Sequence, residues 1–516
     1  MNGERETNLV QNRASGKTTG LRLLLLFGLV MLALWWAAPQ MAYTAATPGN
    51  GPGGVGLTDG SSTLELWLRA DKGVFANDDC TGTATNGNPA GCWQDQSGNG
   101  ANATQGDSVK RPTLNTGALN SQPLLYFNAA EVDALVSGSI TLDEFTVFSV
   151  FDRTGDGFIY EQGQSTSSAD GSNLYSAGTE CTTYIRRNST TSGLALNPGW
   201  MDTTTAIVTH AYAGTHASHT VSKNNALQSA SGCIYSGNSS MDIKDVPASI
   251  FIGARNGDGF AYTGNLAELI FYSEDLPAVQ KILVENYLSS KYGIALAGND
   301  YYDGDTPANG NFDLDVAGIG QFGSVLHTEA QAAGMVIVNG TFLNADGDWL
   351  LFGHNVPQNS NTISDLPVAA PWDTASDPAR WLRSFHFTRT DAGTAGGTVT
   401  LSFDFSNAGM SGTPGTAANY RLLSRPNATG AFSDITLTCT GGASVSGDRV
   451  TFSSVNVTCL GSNFTLGTLD RQGSPTAVSL NPLAATPQVN GLVIIAACVL
   501  TLGIGSLWVC VRHRPE

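Results

Sequence analysis

Positive charge is scarce in this chain: 25 Lys and Arg stand against 43 Asp and Glu in 516 residues, a formal net charge of −18. A protein that grips a nucleic-acid backbone carries a basic footprint, so nucleic acid is excluded as a partner. Charge of either sign is low, at 13% of residues, about half the usual share. Catalytic signatures are missing as well. No Gly-x-Ser-x-Gly elbow occurs, which removes the α/β-hydrolase reading, and no His-Glu-x-x-His occurs, which removes that class of zinc protease. No Cys-x-x-Cys occurs, so zinc-ribbon and thioredoxin-like chemistry lack support. Ser15-Gly16-Lys17-Thr18 mimics the end of a phosphate loop, but Gln11 stands where its first glycine belongs. What the chain has in abundance is glycine, 60 residues, beside much Ser, Thr and Asn. That mixture disfavours helices and suits turn-rich β-structure.

The two ends carry the longest apolar runs. Arg13, Lys17 and Arg22 precede Leu23 to Ala38, sixteen uncharged residues, and the small triplet Thr44-Ala45-Ala46 follows. That order predicts an export signal over 1–46. Gly491 to Val511 is 21 residues without a charge, closed by Arg512, His513 and Arg514. It predicts a transmembrane helix with the tail 512–516 cytoplasmic and the bulk of the chain outside, on the cell membrane.

Eight cysteines occur, two of them, Cys498 and Cys510, in the apolar C-terminal run. The other six fall in local pairs, and an even number in an exported region predicts the bridges Cys80–Cys92, Cys181–Cys233 and Cys439–Cys459.

Between the ends, residues 47–56 read as a Gly/Pro-rich linker and 471–490 as a second linker. Short apolar runs then recur: Leu64–Leu68, Leu124–Phe127, Phe145–Phe151, Ala206–Tyr212, Ser249–Ile252 and Leu266–Tyr272. Such spacing predicts a sandwich or jelly roll. One helix is predicted over Leu276–Lys291, with Val279, Leu283, Tyr287 and Leu288 on a stripe, Pro277 in its first turn and Gly293 ending it. Further strands are expected at Trp381–Arg389, Gly397–Phe405, Tyr420–Ser424, Ile435–Cys439, Arg449–Phe452 and Phe464–Leu469.

Four segments carry a family resemblance: Leu66-Trp67-Leu68-Arg69-Ala70-Asp71, Trp93 to Gly100, Gly264 to Tyr272, and Tyr287 to Ile294. Together they resemble the concanavalin A-like (laminin-G-type) jelly rolls of bacterial surface proteins, over residues 57–296. Val316 to Gly320 and Leu350 to Asn355 resemble an uncharacterised β module that follows such jelly rolls. That module is expected over 297–379, with an immunoglobulin-like sandwich over 380–470. The fold class is thus all-β: a jelly-roll sandwich, then a smaller β-sandwich, then the membrane helix. The resemblance implies recognition or adhesion without catalytic residues to carry over.

Candidate site residues are few. A laminarinase-type Glu-x-Asp-x-x-Glu begins at Glu131-Val132-Asp133, but Val136 takes its third position; Glu161 stands alone. His210, His216 and His219 cluster, and on one strand the first two would share a face as exposed residues. Two loops place oxygen ligands at alternate positions in the manner of calcium loops. One is Asp95-x-Ser97-x-Asn99-Gly100. The other holds Asp303, Asp305, Asp313 and Asp315, the last two on one face of an extended chain. No cofactor is required; calcium is the candidate cation.

These readings predict a non-catalytic, membrane-anchored surface protein whose jelly roll binds an extracellular glycan or protein. A glycan hydrolase or lyase and a purely structural stalk are the alternatives.

Overall fold

The computed structural model describes residues 47–162, 171–175, 183–187, 190–196, 200–235, 248–255 and 259–474. The expected signal, membrane helix and tail lie outside them, as does Cys181; the side chain of Cys233 is likewise not described.

Two β-sandwiches follow one another. In the first, Phe145–Phe151 lies between Ala206–Tyr212 and Gly264–Tyr272. Gln122–Phe127 and Leu64–Arg69 also pair with Gly264–Tyr272. Every residue of Phe145–Phe151 is buried because both faces of this sheet are covered. Phe145, Val147 and Phe151 point into the core shared with the second sheet, while Phe148 and Val150 point into another core beneath the helix. The second sheet runs to ten strands among the described residues and includes Phe158–Gln162, Ala248–Ile252 and Leu135–Ile140.

The helix spans Ala278–Tyr292 and ends at Gly293, whose φ of 64° and N–H bond to the Ser289 carbonyl make a left-handed cap. It is not a one-sided surface helix. From Ile282 to Tyr292 every residue is buried, because the first sandwich packs on one side and the strand Leu314–Phe322 on the other.

The second sandwich does not divide at residue 379. Trp349–His354 pairs with Leu314–Phe322 and with Phe385–Thr390, and Phe385–Thr390 pairs with Asn463–Thr468. In the facing sheet Met335–Asn339 pairs with Thr398–Asp404, which pairs with Arg449–Asn456. Strands from both sides of the expected boundary interleave around one core containing Ile337, Phe352, Trp381, Phe403 and Phe464. Ile435–Cys439, expected as a strand, is instead a helical turn over Thr436–Cys439.

Residues 48–56 are no free linker either. Gly49 bridges Ala330 and Gly53 bridges Ala317, and Gly51 to Val55 are buried. Gly53 has φ +69°, and a Cβ there would meet the Leu283 carbonyl at 2.7 Å. Glycine is required because this strap threads between the helix and the second sandwich.

Cys80 and Cys92 form a disulfide. It closes a short loop, for which chain entropy predicts a stabilisation of about 3 kcal/mol. The Cys80→Ala/Cys92→Ala variant is expected to lose roughly that much in urea unfolding; an unchanged midpoint would show the loop to be held by its hydrogen bonds alone. The expected Cys439–Cys459 bridge is not formed. Both are free thiols, and the hydrogen bond with Cys439 pushes the Cys459 thiol up to about 11. Cys439 closes a helical turn and Cys459 a short 3-10 turn, and proximity along the chain brought the two thiols into contact without a bond between them.

Candidate functional site

The resemblance segments meet at one place. Glu268 sits in the apolar strand Gly264–Tyr272, wholly buried. A buried carboxylate must be paired or saturated, and this one accepts from four donors: Trp67 Nε1 at 2.6 Å, Tyr287 OH at 2.9 Å, Tyr292 OH at 2.7 Å and Lys291 Nζ at 2.7 Å. Lys291, also buried, reaches Asp71 Oδ1 at 2.8 Å. Asp71 takes a two-pronged contact from Arg69, whose Nε lies 2.9 Å from Oδ1. Arg69 Nη1 then approaches Asp315 Oδ1 at 3.4 Å, and Asp315 Oδ2 lies 3.0 Å from His354 Nε2. A single chain of charges therefore runs from the first sandwich, through the last turn of the helix, into the second. Burial alone would raise Asp71 and Asp315. Lys291 and Arg69 beside the first, and His354, Arg69 and Lys291 beside the second, hold both carboxyls well below the usual range. His354 Nδ1 faces the Val356 carbonyl at 2.9 Å, so both ring nitrogens face acceptors and only the imidazolium satisfies both. Burial opposes that charge and lowers its pKa.

A local backbone device aims Asp315. The strand Leu314–Phe322 carries a bulge between Leu314 and Ala317 against its partner, and Asp315 has φ 46°. A bulge re-aims a side chain. This one ends the shared face expected for Asp313 and Asp315: Asp315 turns to Arg69 and His354, while Asp313 accepts from Asn120 Nδ2 at 3.0 Å.

Over this network opens a cleft of about 600 Å³ between the two sandwiches. The strap contributes Asn50 to Gly53 and the first sandwich Trp67, Arg69, Lys72, Gln94, Asp95 and Gln96. The helix adds Tyr287, and the second sandwich adds Asp315, Gln331, Arg383 and Asn407. Several lining amides spend one end on the protein. Asn50 Oδ1 accepts from Thr58 N at 2.8 Å, Asn407 Oδ1 from Gly334 N at 2.6 Å, and Gln96 Nε2 donates to the Gln94 carbonyl at 3.1 Å. Among the described residues, the other end of each has no hydrogen-bond partner.

The calcium expectations fare differently from this cleft. Asp95 lies on its wall, but its oxygens accept from Trp67 N, Ser97 N and Ala101 N at 2.9–3.0 Å and meet Ser97 Oγ at 2.8 Å. Asn99 Nδ2 donates to the Leu64 carbonyl at 2.9 Å. The loop 95–99 is thus a clamp on the strand Leu64–Arg69. Asp303 pairs with His386 Nε2 at 2.9 Å. Asp305 is pushed up to about 6 by burial and by Asp300, with Asp313 and Asp303 adding to it. Among the described residues, no group of three or more His, Cys, Asp or Glu could hold a metal ion. The melting temperature is accordingly expected to match in chelator and in millimolar calcium; a rise reversed by Asp313→Ala would restore the calcium reading.

The histidines are not exposed. His210 and His219 are buried with Nε2 atoms 2.9 Å apart. The chain turns through the short 3-10 helix His216–Ser218, so His219 starts the return and faces His210. Glu161 is buried and pairs with Arg255 at 3.3 Å, away from the cleft.

Sequence reasoning quoted Trp67, Arg69, Asp71, Glu268, Tyr287 and Lys291 as motif members without assigning them a site, and it passed over Lys72, Gln331, Arg383 and Asn407. One signal was available: a lone acid inside the apolar run Leu266–Tyr272 demands a buried partner.

No family model matches the chain, and no curated protein matches it. Partial overlaps exist with solved structures. A Trypanosoma rangeli sialidase in complex with the inhibitor DANA shares 12% identity over 43% of this chain and 32% of its own, at a TM-score of 0.26. Domain 4 of an extracellular arabinanase from Geobacillus stearothermophilus, in complex with arabinotriose, shares 10% over 43% of this chain and 97% of its own, at 0.28. A Ruminococcus gnavus sialidase module bound to α2,3-sialyllactose shares 12% over 27% of this chain and 80% of its own, at 0.22. This chain thus spans about a third of the sialidase's length. With TM-scores this low, the chemistry of the cleft rests on its own residues.

Proposed function

We propose that this is an exported, non-catalytic recognition protein, tethered to the membrane by residues 491–511, which takes a glycan in the cleft between its two sandwiches. The observation that carries the reading is the lining itself. Amide side chains with unspent donors or acceptors, Asn50, Gln96 and Asn407, suit the hydroxyls of sugar rings. Hydrolysis would call for a carboxylic acid held ready to protonate the leaving group. Asp315 is held ionised by its cationic neighbours, and Asp95 is saturated by backbone N–H groups and a hydroxyl.

The test is a glycan array with the purified protein, followed by chromatography of any bound glycan after long incubation. Binding without cleavage is expected, and Gln94→Ala/Gln96→Ala should weaken it roughly tenfold. Cleavage products that vanish in Glu161→Gln or Glu131→Gln would replace this reading with a glycan-active enzyme. An array with no ligand would leave the structural-stalk reading.

A further inference from the structure

We infer that the cleft selects glycans bearing carboxylate or sulfate groups, with Lys72 and Arg383 as the cations that receive them. The inference rests on the glycan reading above and narrows it to a ligand class. Five charged side chains line the cleft: Arg69, Lys72 and Arg383 against Asp95 and Asp315. Cations lead here, in a chain where acids outnumber bases 43 to 25.

The five are not equally available. Arg69 is neutralised by Asp71 and Asp315. Asp95 is saturated as described, and Asp315 is held between Arg69 and His354. Two cations are left over. Arg383 is buried, and among the described residues its guanidinium donates only to main-chain carbonyls: Nε to Val356 at 3.3 Å, Nη1 to Ala333 at 2.5 Å and Nη2 to Pro357 at 2.7 Å. Those three bonds fix the plane of the group. A guanidinium has five N–H donors, so two remain. Asp315 attracts this cation but forms its ion pairs with Arg69 and His354; a buried guanidinium without a direct ion pair is costly unless an anion completes it, and the cleft is the open side from which one can arrive.

Lys72 stands exposed at the cleft wall, and its ammonium has no hydrogen-bond or ion-pair partner among the described residues. Arg69 repels this ammonium, while Asp315 and Asp71 attract it. A ligand anion would relieve the repulsion between Lys72 and Arg69. The pair divides the work by its chemistry: Arg383 offers fixed donors in a plane, and Lys72 a mobile point charge.

The experiment uses matched glycan pairs that differ only in charge: uronate oligosaccharides against their methyl esters, sialylated against desialylated chains, and sulfated against desulfated chains. Titrations with the purified protein are run at low and at physiological salt. The acidic member of at least one pair should bind roughly tenfold more tightly, with the preference shrinking as salt rises. Lys72→Met changes an exposed side chain and should leave the melting temperature unchanged. It should remove most of that preference while sparing the neutral partner. Which pairs respond separates carboxylate from sulfate recognition. Equal binding within every pair, or a Lys72→Met protein with its preference intact, overturns the inference and leaves the glycan reading standing. Binding of no glycan overturns both.

Discussion

Lys291→Met is expected to cost the protein about 3–5 kcal/mol, as breaking a buried ion pair from one side does. Lys291 and Glu268 are 2% and 0% exposed. Removing the ammonium leaves Glu268 with three neutral donors and strips Asp71 of one of its two cations. Those carboxylates then lie beneath the cleft with too little compensation. Methionine preserves the stem, so lost packing contributes little. The loss should couple to Glu268. In Glu268→Gln/Lys291→Met the Glu268→Gln change removes the stranded charge, and the double variant should be at least about 1 kcal/mol more stable than the sum of the single effects. Urea unfolding midpoints of the four proteins measure this. Single variants within about 1 kcal/mol of the parent would mean that water reaches the network and screens it. The same variant should also weaken any cleft ligand, since Arg69 and Asp71 lose the group that holds them in place.

The second large effect is a loss of stability in acid, driven by the buried histidines. His210 Nδ1 meets Tyr160 OH at 2.5 Å, its Nε2 meets Thr183 Oγ1 at 2.9 Å, and His219 Nε2 meets the same hydroxyl at 2.8 Å. Burial pushes His210 down to about 3, and burial together with His210 pushes His219 well below its ordinary value. Unfolded histidines take up protons near pH 6.5. Between pH 6.5 and about 3 the unfolded chain therefore binds more protons at these sites than the folded one. Their contribution is complete above pH 6.5 and is lost as pH falls, at about 1.4 kcal/mol per pH unit for each histidine. His327, pushed down to about 4 by burial, acts in the same direction. Asp133 and Asp305, both pushed up to about 6 mainly by burial, act against it because they gain protons on folding. The histidine part is therefore read by difference. His219→Gln should flatten the dependence of unfolding free energy on pH by about 1.4 kcal/mol per unit between pH 6 and 4.5. Parallel curves for variant and parent would show that the pair is not a proton-excluding site.

Some of this was legible in the residues. Alternating or continuous apolar runs located Leu64–Arg69, Phe145–Phe151, Ala206–Tyr212 and Gly264–Tyr272 to within about two residues, because burial on a strand face writes itself into the pattern. Pro277 and Gly293 bracketed the helix, since one presets φ and the other tolerates the left-handed cap. Cys80 and Cys92 were paired by proximity. Other readings failed where a local rule met a tertiary demand. Asp313 and Asp315 were expected on one face, and a bulge parted them. His210 and His219 were expected apart and exposed, and a turn joined them inside the core. The Gly/Pro-rich segment 47–56 has a linker's composition, yet its glycines serve close packing against Leu283.

By itself, then, the sequence determined the all-β character of the described chain, its one long helix and most strand positions, because propensity and periodicity are properties of neighbours along the chain. The tertiary structure decided the site. Trp67, Glu268, Tyr287, Lys291, Asp315 and His354 are scattered over nearly three hundred positions. Only strand pairing, the burial of the helix between two sandwiches and the bulge at Asp315 bring these groups, with Arg69 and Asp71, into one hydrogen-bonded chain. A charge in low dielectric is settled by what faces it in space, and no spacing along the chain records that.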